Sequence, residues 1–303
     1  MIYSVKNVYF CGRTKCDIMQ PIERLNLTML NVGFAQHDAD WNWQNVSSPF
    51  TRIYYVTKGS AKLHLQSETF ELQPHNLYII PQNTLHSYEC CGTFEHFYLH
   101  VYEKFKEETD IFDYYDFPTC VKAEVGDEEL FRNMCSLHPE AALPASDPSA
   151  YDNNTMFMDY VGRYNSMSLY EKMYLRGVTL IFFSRFMRCA TPRLWTRDER
   201  MKRVLEYINR NLYEEIDIES LATVACVTST YLIRLFKMNL NVTPLKYITQ
   251  KKVERAKLLL LTEDISIKEL AYKIGFNDVS YFVRLFRSVT GTTPQQYRLK
   301  MRS

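Results

Sequence analysis

"YLIRLFK" occupies residues 231–237 and "YFVRLFR" residues 281–287, so one chain writes nearly the same seven residues twice, fifty positions apart. The flanks repeat as well. The same offset pairs Thr243-Pro244 with Thr293-Pro294 and Tyr247 with Tyr297, and Leu221-Ala222 matches Leu270-Ala271 at an offset of 49. The second copy therefore carries one extra residue ahead of Tyr281. A repeated apolar segment alone would mean little. Repeated flanks indicate two copies of one small helical unit in the C-terminal third.

In the second copy Ser266-Ile267-Lys268-Glu269 reads as a capping box, in which the Ser hydroxyl and the Glu carboxylate satisfy free amides at a helix start. Leu270, Ala271 and Ile274 form that helix's apolar side, and Gly275 permits the left-handed conformation that ends it. Asn277 is then placed to cap a new helix whose inner face is Phe282, Leu285 and Phe286. In the first copy Asp217 is the cap, Leu221, Ala222 and Ala225 lie inside, Cys226-Val227 make the turn, and Leu232, Leu235 and Phe236 follow. Two short helices joined by a tight turn describe a helix-turn-helix.

Subtracting the inner faces leaves Ser229, Thr230, Ile233, Arg234 and Lys237 in the first unit and Val279, Ser280, Val283, Arg284 and Arg287 in the second. An α-helix fits the major groove, where Arg donates two bonds to guanine and an apolar side chain touches a thymine methyl. Arg234 and Arg284 are thus the expected base readers; the competing reading is that they only make ion pairs or cover the apolar layer. Between the units, Thr243-Pro244 starts a helix and "PLKYITQKKVERAKLLLL" runs to Leu261 without a breaker. Its inward residues are expected to be Ile248, Val253, Ala256, Leu259 and Leu260. Eighteen residues span roughly 27 Å, close to the roughly 34 Å between successive major-groove segments on one DNA face. Lys246, Lys251, Lys252, Arg255 and Lys257 on this connector are expected to face phosphates, or else to be a solvated basic face.

Charge follows the same division. Residues 196–303 hold 19 Lys/Arg and 12 Asp/Glu, a net +7, inside a chain of 303 residues whose overall net charge is +1. The remaining 17 basic and 23 acidic residues make the rest −6. A basic third on an acidic remainder points to an anionic partner for that third alone. No stretch approaches the roughly 20 apolar residues of a membrane span; "VTLIFF" at 178–183 is the longest candidate. "MIYSVKNVYF" lacks the pattern of a signal peptide. The eight cysteines show no C-x-x-C pair and no zinc spacing, so a reduced cytoplasm is expected.

From Leu27 to about Tyr102 the chain reads as short strands: "RIYYVT" (52–57), "AKLHLQ" (61–66), "TFEL" (69–72), "LYII" (77–80) and "HFYLHVY" (96–102). Turn residues separate them and no helix intervenes, which favours an antiparallel barrel or sandwich. Alternation puts His96, Tyr98 and His100 on one strand face and Phe97, Leu99 and Val101 on the other. His64 shares a face with Lys62 and Gln66, and Trp41 shares one with Trp43. Aromatic faces with a few hydrogen-bonding tips suit a small polar ring such as a sugar; the alternatives are a polar face in solvent and a pair of core tryptophans. "HPEAALPASDPSAYD" (138–152) reads as a surface loop. Beyond it Leu169, Met173, Tyr174, Val178, Ile181, Phe182 and Arg185 make one helical stripe that either caps the β core or forms a dimer seam. "RCATPRLWTRDE" (188–199) reads as the interdomain linker.

The segment from about 198 to 300 resembles the DNA-binding domain of the arabinose-regulator (AraC/XylS) family of bacterial transcription regulators. The resemblance rests on "IRLFK…TPLKYITQKKVERAKLLLL" and on the string A-x-x-x-G-F-x-x-x-S-Y-F…F-R…G-x-T-P-x-x-Y-R from Ala271 to Arg298. It implies seven helices, two helix-turn-helix units and asymmetric direct-repeat sites. Asn241, where the family often has the glycine kept as Gly291, and Cys226, at the Gly275 equivalent, are departures. "GSAKLHLQSETFELQPHNLYIIPQNTLHSYE" is similar to the cupin-like sensor domain of sugar-responsive members, with His75 where a Gly often sits. That likeness implies an effector inside the barrel, polar contacts from Tyr88, Tyr98 and His100, and pairing of two subunits through the following helices.

The expected fold is α+β: a cupin-like antiparallel β-barrel with a helical segment, then an all-α domain with two helix-turn-helix units. The expected domains are residues 1–140 for effector sensing, 141–192 for dimerisation and linkage, and 193–303 for DNA binding. Expected effector contacts are Trp43, His64, Tyr88, His96, Tyr98 and His100, and expected DNA contacts include Lys251 and Lys252 beside the recognition-helix residues. Expected partners are double-stranded DNA, a small-molecule effector, RNA polymerase and a second copy of the chain, with no cofactor, metal or membrane. Many cupins are metal enzymes, and His64, His86, His96 and His100 supply imidazoles. The H-x-H cluster followed by Glu is missing, however, and His96-x-Tyr98-x-His100 has the wrong interval. The other rival is an architectural DNA-binding protein without an effector.

Overall fold

The computed structural model describes residues 25–103, 111–193 and 198–300. The expectation for the opening ten residues, and part of the predicted linker, lie outside them.

Among the described residues seven strands come first: β1 (Leu27–Asp38), β2 (Thr51–Gly59), β3 (Ala61–His64), β4 (Thr69–Leu72), β5 (Asn76–Ile80), β6 (Ser87–Glu89) and β7 (Thr93–Glu103). A short helix α1 (Ile111–Tyr114) precedes two short strands, β8 (Tyr115–Asp116) and β9 (Cys120–Lys122). One antiparallel sheet has the order β1-β7-β2-β5-β9 and a second the order β4-β3-β6. A single bridge, Val46 to His86, lies outside the named strands. The architecture is cupin-like, with the two sheets not joined into one closed ladder among the described residues. Between the sheets lies a core of Val56, Leu63, Leu72, Ile80, Tyr88 and Phe94.

The outer face of the larger sheet is also buried. Helices α2 (Asp127–Leu137) and α5 (Leu169–Met187) lay Phe131, Met134, Phe182 and Phe186 over Ile53, Leu77, Leu99 and Val101. With both faces covered, β7 is buried along nearly its whole length, with only Thr93 and Glu95 not fully buried. The α5 stripe divides. Val178 and Phe182 cap the sheet, whereas Leu169 (74 % exposed) and Met173 (66 %) stay in solvent. The stretch 138–152 is not a plain surface loop. It contains helix α3 (Pro148–Tyr151), its Leu143 amide donates to the Tyr98 hydroxyl at 2.7 Å, and Tyr151 is buried. Helix α4 (Asn154–Ser166) follows, and β10 (Thr191–Pro192) pairs with β8.

Among the described residues seven helices make the C-terminal part: α6 (Glu199–Arg210), α7 (Ile218–Ala225), α8 (Ser229–Leu240), α9 (Pro244–Thr262), α10 (Ile267–Lys273), α11 (Val279–Thr290) and α12 (Pro294–Lys300). Asp217 and Thr243 cap α7 and α9, and the Ser266–Glu269 capping box is formed. The cap of α11 is Asp278, not Asn277: its Oδ1 accepts from the Ser280 and Tyr281 amides, one residue closer to the helix than expected. Each unit has its own core. Leu221, Leu232 and Phe236 lie in the first, and Leu270, Phe282 and Phe286 in the second. Helix α9 serves both, placing Tyr247 and Ile248 in the first core and Val253, Ala256, Leu259 and Leu260 in the second. The connector is thus held at both ends by burial. Leu285, expected inside, is only half-buried.

Asn241 (φ 56°) and Cys226 (φ 54°) adopt the left-handed backbone that Gly291 and Gly275 adopt in the second copy, and His75 does so at φ 61°. Asn tolerates this region well; Cys and His hold it through the surrounding fold.

Candidate functional site

Helices α7 and α8 meet at 82°, a helix-turn-helix bend. Both second helices begin at equivalent positions, Ser229 and Val279, and present the same register to solvent. Thr230, Arg234 and Lys237 are exposed on α8, as are Ser280, Arg284 and Arg287 on α11. Ser229 and Ile233 are half-buried. Val279 and Val283, expected on the exposed face, are instead packed against the second core. The equivalent tyrosines, Tyr231 and Tyr281, are exposed in both units although neither was among the expected contacts. Their recurrence at the fifty-residue offset is the signal in the sequence for this shared placement.

The connector's cations divide. Lys246 is exposed. Lys252 is 4 % exposed and donates to the main-chain oxygens of Glu214 (2.8 Å) and Gly275 (3.2 Å), which corrects its expected place on a phosphate-facing surface. Lys251 pairs with Asp113 at 2.7 Å, Lys257 donates to Asn83 Oδ1 at 2.9 Å, and Arg255 bonds the Tyr213 hydroxyl. All three sit where the N-terminal domain or the connector's own bundle faces the helix, not on an open basic stripe.

In the N-terminal domain a cavity of about 210 Å³ opens between β1, β2 and β7 and the 143–151 segment. His96, Tyr98 and His100 line it from β7, together with His37, Trp41, Tyr54 and Tyr151. The alternation on β7 thus turns this polar face into a cavity, not into solvent. His37 was missed because its strand gives no alternation signal; its neighbours in the wall are aromatic, with the His37 ring stacked on Trp41 at 5.3 Å. Gly33 leaves room for Tyr98, since a Cβ there would lie 2.2 Å from the Tyr98 hydroxyl oxygen and the ring would have to shift. Tyr88 lies one layer behind, stacked on Trp41 at 4.0 Å, with its hydroxyl bonded to Tyr54 (2.7 Å) and to His86 Nε2 (2.8 Å). Trp43 packs against the inter-sheet core without lining the cavity, and His64 lies on the smaller sheet, bonded to Thr69 (3.0 Å) and Glu89 (3.0 Å). Tyr88, Trp43 and His64, three of the six expected contacts, are therefore corrected by placement. The four imidazoles weighed as metal ligands do not converge, because His64 is remote and both ring nitrogens of His86 are taken by Thr84 O and the Tyr88 hydroxyl.

Burial pushes the pKa values of His96 and His100 well below the usual histidine range, with His37 adding to the first and Arg52 to the second. Burial also lowers His37, against the opposing pull of Asp40. His37 Nε2, His96 Nδ1 and His100 Nδ1 make no hydrogen bond in the protein. The cavity wall thus carries uncharged imidazoles, and these three ring nitrogens lie buried without a protein partner. A larger open groove of about 640 Å³ runs along Lys62, Glu71 and Glu89, but its Lys62 and Glu89 already pair at 3.0 Å.

Two family profiles match the chain, an AraC-like ligand binding domain over residues 31–140 and a helix-turn-helix domain over residues 221–300. The chain belongs to the AraC family of transcription regulators. The HTH-type transcriptional regulator YdeC of Bacillus subtilis is 34% identical over 107 residues, 35% of this chain and 36% of that protein. The chain therefore matches about a third of that relative's length. The arabinose operon regulatory protein of Escherichia coli K12 is 24% identical over 245 residues, 80% of this chain and 77% of that protein. Among solved structures, the DNA-binding domain of AdpA in complex with a target DNA is 30% identical over 33% of this chain and 89% of that chain, with a TM-score of 0.32. Unsaturated fatty acid bound ToxT of Vibrio cholerae is 16% identical over 91% of this chain and 95% of that chain, with a TM-score of 0.46. Residues 31–140 thus lie in the ligand-binding domain of an AraC-family regulator, and residues 221–300 in its DNA-binding helix-turn-helix domain.

Proposed function

We propose that this regulator sets α8 and α11 into two successive major grooves of double-stranded DNA under the control of a neutral, hydroxyl-rich effector, a sugar in the simplest case. The observation that carries the reading is the shared register of Arg234 and Arg284, both exposed, on helices joined by a connector buried at both ends. Ser229, Thr230, Ile233 and Lys237 in one unit, and Ser280 and Arg287 in the other, are the proposed companions of the two arginines. The effector would meet His37, His96, Tyr98 and His100, with Trp41 supplying an aromatic face. Uncharged imidazoles accept or donate to hydroxyls but give a carboxylate or phosphate no counter-charge.

The proposed division is residues 1–140 for sensing, 141–192 for dimerisation and linkage, and 193–303 for DNA binding. The exposed face of α5, with Leu169, Tyr170 and Met173, is the proposed dimer seam. Activation through RNA polymerase, in the cytoplasm, completes the reading.

The test is to select duplexes from a random pool with the full chain and to footprint the winner. Two protected segments about one helical turn apart support the reading, and one protected segment refutes it. A thermal-shift panel of sugars and polyols tests the effector, because a ligand that binds only the folded state raises its melting temperature.

A further inference from the structure

We propose that Lys252 acts as a positioning residue, clamping the first DNA-reading unit's chain onto the turn of the second so that the two recognition helices keep one relative orientation. This rests on the two-groove reading above.

Lys252 projects from the middle of α9, yet its ammonium is spent inside the protein. Nζ donates to Glu214 O at 2.8 Å and to Gly275 O at 3.2 Å, and it lies 5.0 Å from the centre of the Phe276 ring. Glu214 belongs to the link between α6 and α7, in the first unit; Gly275 is the turn between α10 and α11, in the second. One side chain therefore ties the main chains of both units.

The surroundings complete a joint. Tyr213, beside Glu214, packs against the second core, and the Arg255 guanidinium lies 5.5 Å from its ring centre and bonds its hydroxyl. Asn277 donates to Glu215 Oε2 at 3.3 Å. A strap of three residues, Tyr213 to Glu215, is thus laid across the second unit's turn. Gly275 accommodates it: at φ +74° a Cβ would lie 2.3 Å from Tyr213 O and 2.8 Å from Lys252 Nζ. The equivalent position in the first unit, Cys226, is exposed. The duplicated units therefore differ at this joint.

A helix of fixed length sets the distance between two readers but leaves the second unit's rotation about the helix axis to whatever packs around it. The helix itself packs in both cores, and the strap adds a direct contact from the first unit to the second unit's turn. Two main-chain carbonyls and an aromatic face suit an ammonium, whose donors need partners once water is excluded. Burial holds the Lys252 pKa down at about 8, with Glu215 and Glu214 opposing, so the charge persists at neutral pH. A phosphate could reach this group only if the strap opened.

The full chain, its Lys252→Met, Lys252→Arg and Tyr213→Ala variants, and the selected duplex with one or two base pairs inserted between its half-elements make the test. The wild type is expected to lose about tenfold or more in affinity on insertion. Lys252→Met is expected to bind the parent duplex a few-fold more weakly and to lose under about threefold on insertion, with an unchanged salt slope. Lys252→Arg should restore the discrimination, and Tyr213→Ala should lose it as Lys252→Met does. Should Lys252→Met fail to fold by circular dichroism, Tyr213→Ala decides alone. Unchanged discrimination in both disruptive variants overturns the clamp. A salt slope lowered by about one in Lys252→Met, with discrimination kept, overturns it in favour of a phosphate contact. A wild type that protects a single half-element removes the two-groove reading itself, and the clamp with it.

Discussion

Lys257 Nζ, on the helix that joins the two helix-turn-helix units, donates to Asn83 Oδ1 at 2.9 Å, across 174 residues of sequence and from one domain to the other. Beside it Leu258 packs with Leu30, Phe50, Tyr102, Tyr151, Phe157 and Tyr160 of the N-terminal part. Lys251 adds an ion pair to Asp113 on α1. The connector is therefore the surface on which the domains meet. Tyr151 belongs to this cluster and also lines the β-domain cavity, so cavity and connector share a wall.

Truncating Leu258 tests that contact. Leu258→Ala removes a buried side chain from a cluster that spans both domains, and core truncations of this kind cost about 2–5 kcal/mol. The expected outcome is a lower melting temperature and faster hydrogen exchange in α4, with α8 and α11 unaffected. Unchanged exchange in α4 would show that the interdomain packing does not persist in solution.

Arg234→Ala and Arg284→Ala should each cost roughly 1–3 kcal/mol on the selected duplex and relax preference at one base position. Lys246→Ala, on the exposed part of the connector, should weaken binding to all sequences and lower the salt slope by about one. Competition assays across single-base variants separate the two effects. Wild-type discrimination in both Arg variants would remove the assignment.

Acid should destabilise the N-terminal domain. His96 and His100 titrate well below 6.5 in the fold and His86 is held down at about 3, in each case through burial first. Below pH 6.5 the unfolded chain takes up protons that these folded imidazoles refuse, so it binds more protons and stability falls as pH falls. Their contribution is whole above pH 6.5 and is lost below it, down to about 3 for His86. At pH 5.5 each such histidine costs about 1.4 kcal/mol. Asp152, pushed up by burial despite its Arg52 partner, works in the opposite direction nearer its own range. Melting curves at pH 7.5 and 5.5 measure the net effect. A flat profile would place water against these rings.

How much of this was legible in the sequence depended on whether a signal was local. The caps at Asp217, Thr243 and Ser266 were readable because capping chemistry is settled within four residues. The β7 face carrying His96, Tyr98 and His100 was readable from alternation. Long-range placements were not. Nothing near Lys252 in sequence shows that Glu214 and Gly275 will surround it, and nothing near Lys257 points to Asn83. A basic helix reads as one basic face until the elements that cover it are known. His64 failed for a related reason: alternation says that a residue faces out from one side of a strand, not which sheet forms the cavity.

The repeat supplies an internal control on backbone strain. Cys226 and Gly275 end equivalent helices with φ values of 54° and 74°. A left-handed L-residue costs about 1–2 kcal/mol relative to a relaxed one, while glycine adds about 0.5–1 kcal/mol of unfolded-state entropy. Cys226 is exposed, so Cys226→Gly relieves strain without opening a cavity and should stabilise by about 0.5–1 kcal/mol. The reverse change at the equivalent site should have the opposite sign and be larger. Gly275→Ala meets the same dihedral cost and also drives a Cβ to 2.3 Å from the Tyr213 main-chain oxygen, which no side-chain rotation relieves. A loss of about 3 kcal/mol or more is expected. Chemical denaturation of the two variants reads both signs. A Gly275→Ala protein as stable as the wild type would mean that the strap across the second turn is loose in solution.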